Sequence, residues 1–106
     1  RGESSESIRQ RVVHTRQLQL QRAGKLNALL DSRELEQYCA LSSRDAQFLE
    51  EVIHQLGLSL RAWHKILRVA RTLADMAQEA DIQRHHLAEA LGYKAMDRLL
   101  KRLRTS

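Results

Sequence analysis

The sequence predicts an all-α fold, a small bundle of about five helices, and three observations carry that expectation. The chain contains no proline, so the strongest helix breaker is missing. Leu, Ala, Arg, Gln and Glu dominate, and all five lose little conformational freedom in a helix. Apolar residues recur at three- and four-residue spacing in successive segments, each opened by Ser or Asp. At 106 residues there is room for one domain with one core.

The first segment, "SSESIRQRVVHTRQLQLQRAG", has serine caps at Ser4 and Ser5, a dipole-complementing Glu6 and a stop at Gly24. Ile8, Val12, Val13, Leu18 and Leu20 make a thin, irregular stripe. So polar a helix does not hold itself to a core along its whole length. It reads as an exposed connector, or as a helix covered by a part of the protein outside this sequence. The second, "LNALLDSRELEQYC", places a capping signal (Asp31 or Ser32, then Glu34) before a short helix ending near Tyr38 or Cys39. The third, "LSSRDAQFLEEVIHQLG", is capped by Ser42 or Ser43. It aligns Ala46, Leu49, Val52, Ile53 and Leu56 on one face and ends at Gly57.

The fourth, "LGLSLRAWHKILRVARTLADM", opens on Ser59 and carries Trp63, Ile66, Leu67, Ala70, Leu73, Ala74 and Ala77 at helical spacing. Ala62, Val69 and Met76 lie beside that stripe, which widens it to about half the circumference. This breadth marks the central helix. Its polar side is lopsided: Arg61, His64, Lys65, Arg68 and Arg71 precede the single acid, Asp75. The fifth, "DIQRHHLAEALGYKAMDRLLKRLR", offers Ile82, Leu87, Ala90 and Leu91 to the core. Gly92 is expected to break or kink it, before a basic tail of Lys94, Arg98, Lys101, Arg102 and Arg104.

The formal charge of +5 rests on far more arginines than lysines. It fits either a solvated basic surface or an anionic partner such as nucleic acid, nucleotide phosphate or an acidic subunit surface. The lone Cys39 cannot form an internal disulfide, which suits a reducing, cytoplasmic setting. No apolar run is long enough to span a membrane and no leader pattern is visible. The start at Arg1-Gly2, without methionine, suggests a piece cut from a longer protein.

Enzyme chemistry is thin. The four glycines stand apart at positions 2, 24, 57 and 92, so the chain has no phosphate-cradling P-loop. Cys39 has no nucleophile signature and reads as a small core residue. The five histidines show no zinc spacing; His85 and His86 are adjacent and are expected on different faces, at the surface or a helix end. No metal ligands are assigned.

Two other readings concern the third and fourth segments. "EEVIHQLGLSLRAWHKILRVAR" has the outline of a helix-turn-helix with an arginine-rich second helix. Bulky Ile53 four residues before the turn glycine, and a second helix apolar over half its surface, count against it. The other reading starts from Arg61, placed in the first turn of its helix, where the dipole disfavours a cation by about 0.3–1 kcal/mol. A helix N-terminus is already an anion site, and a guanidinium there becomes useful when a phosphate is present. The ordinary alternative is an exposed arginine paired with Glu50, Glu51 or water.

"GLSLRAWHKILRVARTLADM", with "RGESSESIRQRV", "GKLNALLDSRELEQYCALSS" and "HLAEALGYKAMDR", closely resembles the C-terminal domain of the magnesium-chelatase-like AAA+ ATPases of the ComM or YifB family. The resemblance covers nearly the whole chain in ordered, ungapped blocks. It implies a single helical domain over 1–106, in which residues 1–25 are a connector helix and 26–106 an AAA+ C-terminal lid. Such a lid would belong to a longer chain with its own P-loop core. By position in "SLRAW", Arg61 is implied to be the sensor-2 arginine that contacts the γ-phosphate of ATP. Arg68 and Arg71 are implied candidates for a subunit interface. ATP and Mg²⁺ are implied for the parent protein and not for this domain alone. The implied partners are the core of the same chain, neighbouring subunits of a homo-hexamer, and DNA acted on in branch migration. A free-standing helical DNA-binding module is the competing reading.

Overall fold

A computed structural model describes residues 4–105, with the side chains at 96–100, 102, 104 and 105 outside that description. Of the basic tail, Arg98, Arg102 and Arg104 therefore lie outside the described side chains. Five α-helices are present, α1 (Ser5–Ala23), α2 (Ser32–Tyr38), α3 (Ser43–Leu56), α4 (Leu60–Met76) and α5 (Arg84–Thr105). A 3-10 turn at Asn27–Leu29 sits between the first two, and there is no strand among the described residues. No helix of the described residues is long and apolar enough to cross a membrane.

Local chemistry sets the boundaries. Ser4, Ser42 and Ser59 each accept the N–H three residues on, satisfying one donor that the first turn of a helix leaves open. Asp31 and Glu34 form a reciprocal capping box, with bonds of 2.9 Å in both directions. The Glu34 N–H holds the Asp31 carboxyl below its ordinary pKa. Gly24 and Gly57 end α1 and α3 in the left-handed region, at φ 74° and 64°.

Helix α4 is central, as its broad apolar stripe predicts. It packs most extensively on α5 and also touches α1, the 3-10 turn and α2. Leu30, Leu35, Cys39, Leu49, Ile66, Leu67, Ala70, Ala74, Ile82, Leu87 and Ala90 form one buried cluster. Several expectations need correction. Leu56, Met76 and Ala77 are exposed, since they stand at the ends of α3 and α4, past the last residues of those helices that pack on the core. Phe48, absent from the predicted face, packs on the core and lies under the Arg84 guanidinium, 4.7 Å from the ring centre. Gly92 does not break α5; the helix runs through it.

Helix α1 gives the sharpest contrast with its sequence. Ile8, Val12, Val13 and Leu20 are exposed, while Thr15 and Gln19 are buried. A polar cluster holds this helix. Arg22 makes a bidentate pair with Asp75 of α4, and Gln19 accepts the Asn27 N–H at 2.9 Å. Asn27 in turn donates to Thr72 and Asp75, both at 3.0 Å.

Candidate functional site

The junction of α3 and α4 is built from short-range rules. After Gly57 turns left-handed, the Leu58 N–H reaches back to the Ile53 carbonyl at 2.9 Å, closing α3. Ser59 then takes an extended conformation and its Oγ accepts the Ala62 N–H at 3.2 Å, opening α4. The N–H groups of Leu60 and Arg61 carry no intrahelical bond, because no turn precedes them. They and the dipole leave a partial positive charge at this end.

Arg61 projects from that turn into solvent, and among the described residues it makes no hydrogen bond and no ion pair. Glu50 and Glu51 do not pair with it. Lys65, one turn further on, is exposed too and adds a like charge at the disfavoured i,i+4 spacing. The site is thus an uncompensated cation on a positive helix end. Its arrangement suits a multiply charged anion.

Arg68 and Arg71 do not join it. They lie about 10 and 15 Å further along the helix axis, from the rise per residue. Arg68 directs Nε and Nη2 onto one acceptor, the Leu30 carbonyl, at 3.0 and 2.8 Å. Arg71 is buried at 4% exposure and donates to the Glu79 and Ala80 carbonyls, both at 3.0 Å. It also pairs with Asp75 at 3.2 Å. The two guanidiniums that the sequence suggests for a neighbouring subunit are engaged inside this one. Of the basic residues on α4, only Arg61 and Lys65 are exposed. A central helix so buried presents no long face to a DNA groove.

The cluster around Asp75 is what sequence reasoning missed. Asp75 is 2% exposed and binds Arg22, Arg71 and Asn27. Read along one helix, it looks like the lone acid on a basic face. The signal available was the Arg71–Asp75 pair at i,i+4 spacing, which gives no hint of Arg22 or Asn27 from far away in the chain.

The histidines stand in the first turn of α5, a helix end as expected, with His85 exposed and His86 turned inward. The His85 and His86 rings lie 4.1 Å apart, and His86 is buried. With Glu79 they bring three potential donor atoms within 4.8 Å of one another. The hydrogen bonding argues against a metal there. The Gln83 N–H donates to His86 Nδ1 at 2.8 Å, so the neutral ring carries its proton on Nε2, facing Glu79 at 3.5 Å. A metal at Nε2 needs the opposite tautomer, which would set two N–H groups against each other. Burial, then His85, lower the His86 pKa and keep the ring neutral. Cys39 behaves as a core residue: burial pushes its thiol up to about 11, far from a reactive thiolate.

Comparison with known proteins gives the family of the chain. Residues 2–94 match the family described as magnesium chelatase, subunit ChlI C-terminal. The competence protein ComM of Haemophilus influenzae is 53% identical over 103 residues, covering 97% of this chain and 20% of that protein. The uncharacterized protein YifB of Escherichia coli is 54% identical over 99 residues, 93% of this chain and again 20% of the relative. YifB of Salmonella typhimurium is 48% identical over 100 residues. The chain spans about a fifth of the length of the curated relatives it matches.

Proposed function

This chain belongs to the magnesium-chelatase ChlI C-terminal family, and from that premise we propose that it is the lid of a ComM/YifB-type AAA+ ATPase in which Arg61 senses the γ-phosphate of ATP. In this reading residues 1–25 connect the lid to an AAA+ core of the same chain, and residues 26–106 form the lid itself. The core would hold ATP and Mg²⁺. The lid would add one guanidinium, whose planar fork can grip two phosphate oxygens. Arg68 and Arg71 would act from within, fixing the surface that a neighbouring subunit of a homo-hexamer meets. The competence named for the Haemophilus relative suggests DNA as what the whole motor moves, in branch migration in the cytoplasm.

The observation that carries the proposal is the exposed, partnerless Arg61 guanidinium on the positive end of α4. Such a cation gains nothing in the lid alone, yet it is well placed for a phosphate brought by another domain. In the full-length protein, Arg61→Ala should fold and assemble normally. Its ATP turnover should fall by roughly ten- to a thousandfold, the cost of removing one cation from developing phosphoryl charge. Arg61→Lys should restore only part of the rate, because a point charge does not reproduce the fork. A DNA-binding module predicts the reverse pattern: undiminished ATP turnover and a weaker, less salt-dependent grip on DNA. Both quantities can be measured on one preparation. Full ATPase activity in Arg61→Ala would return Arg61 to being a surface arginine.

A further inference from the structure

Lys65, the other exposed cation of α4, has no part in nucleotide sensing as proposed above. It stands at the rim of a cavity of about 240 Å³ between α4 and α5. Ile66, Val69 and Ala90 line the cavity with aliphatic surface, Tyr93 forms a wall, and Lys94 of α5 supplies a second ammonium. Tyr93 is exposed, and its hydroxyl donates to Glu89 at 3.2 Å, which holds the ring in place. Among the described residues, neither lysine has an ion-pair or hydrogen-bond partner. An open apolar hollow is thus flanked by two unneutralised cations, one from each helix.

We propose that this groove binds an acidic peptide segment of a partner protein, seating one or two bulky apolar side chains between Lys65 and Lys94. Carboxylates on either side of the apolar residues would meet the two ammoniums. Size supports a side chain as occupant, since the cavity falls below the ~300 Å³ at which small-molecule sites begin. Charge supports an acidic segment, because electrostatic complementarity at a rim selects partners of opposite sign. The lining speaks against nucleic acid. Single strands are bound by successive aromatic platforms along a basic track. Here there is one aromatic ring, an aliphatic floor, and a carboxylate, Glu89, beside the tyrosine.

The test is a titration of the ¹⁵N-labelled chain with the peptide acetyl-Glu-Asp-Leu-Phe-Asp-Glu-amide. Saturable amide shifts should centre on Lys65, Ile66, Val69, Ala90, Tyr93 and Lys94. The dissociation constant should be on the order of 100 µM, as suits a contact far below the ~1,200 Å² of stable interfaces. Replacing the four acids by Gln and Asn, or Leu-Phe by Ala-Ala, should weaken binding at least fivefold. Lys65→Glu with Lys94→Glu should do the same at an unchanged thermal midpoint. The neutral peptide tests the charge without altering the protein. Shifts elsewhere, no shift at 2 mM peptide, or indifference to the neutral peptide would overturn the proposal. An equal or tighter response to octathymidylate or to decanoate would overturn it in favour of nucleic acid or an anionic amphiphile.

Discussion

His86, the third residue of α5, takes the place that Glu34 holds in α2: its side chain accepts the N–H of the residue before the helix, at 2.8 Å against 2.9 Å. A carboxylate can do this over most of the pH range, but an imidazole only while neutral. The folded-state pKa of His86 lies below its ordinary 6.5. Above 6.5 the ring is neutral in both states, so its contribution is complete. As pH falls below 6.5 the unfolded chain takes up the proton first, and stability declines. His86→Gln keeps an acceptor and cannot titrate. Its urea midpoint should change less than the wild type's between pH 7 and 5.5; parallel curves would show that this bond does not matter. Cys39 gives the opposite slope. Its folded pKa of about 11 exceeds the unfolded 9.0, so above pH 9 the unfolded chain loses its proton first and stability falls. Near neutral pH, iodoacetamide should label Cys39 at the rate of global opening, far slower than it labels the urea-unfolded chain. How much of this could be read in advance depended on range. The exposed place of Arg61 in the first turn of α4 was legible because a helix end is a local feature. The role of Arg71 depends on the Glu79 and Ala80 carbonyls of the turn between α4 and α5, whose course no spacing rule specifies. His86 bonds at capping range but is not a usual capping residue.

Helix boundaries were legible because capping acts over three or four residues: Ser4, Asp31, Ser42, Ser59, Gly24 and Gly57 all stand where their chemistry requires. The 3-10 turn was not, since three residues give no period to detect. Gly92 misled for a related reason. Glycine lowers helix propensity but does not end a helix that tertiary contacts sustain. Comparing two glycines isolates the backbone contribution. A Cβ added at Gly57 or at Gly92 would meet nothing within 4 Å, so neither substitution is decided by crowding. Gly57 sits at φ 64°, where a Cβ is strained, whereas Gly92 is helical. Gly57→Ala should therefore cost about 1 kcal/mol or more, and Gly92→Ala should stabilise by up to about 1 kcal/mol. For a domain of this size each corresponds to a thermal shift of several degrees, in opposite directions. No loss in Gly57→Ala would mean that the α3–α4 turn is not the left-handed one described, and a loss in Gly92→Ala would mean that helix propensity does not decide at that position.

Two kinds of attachment hold the whole molecule together. Helices α2 to α5 share an apolar core, while α1 is tied on through Gln19 and Arg22 to Asn27 and Asp75. The radius of gyration, 14.9 Å, exceeds the ~13 Å expected for a compact domain of this length, in keeping with a first helix that adds little to the core. The sequence announced that weak attachment through a thin stripe, yet could not say that a buried carboxylate would secure it. Burying Asp75 is tolerable only because two guanidiniums and an amide surround it, and removing a partner from such a group typically costs about 3–5 kcal/mol. Arg22 is the partner that belongs to α1, and Arg71 and Asn27 remain when it is lost. Arg22→Met, which keeps the aliphatic stem, should therefore release α1 more than it unfolds the bundle of α2 to α5. Hydrogen exchange should show protection lost between residues 15 and 23, while amides near Leu49, Ile66 and Leu87 speed up far less. In numbers, the fall in opening free energy should be larger in α1 than at those three core positions. An equal fall everywhere would mean that α1 folds as one cooperative unit with α2 to α5, against the proposed division into a connector and a lid.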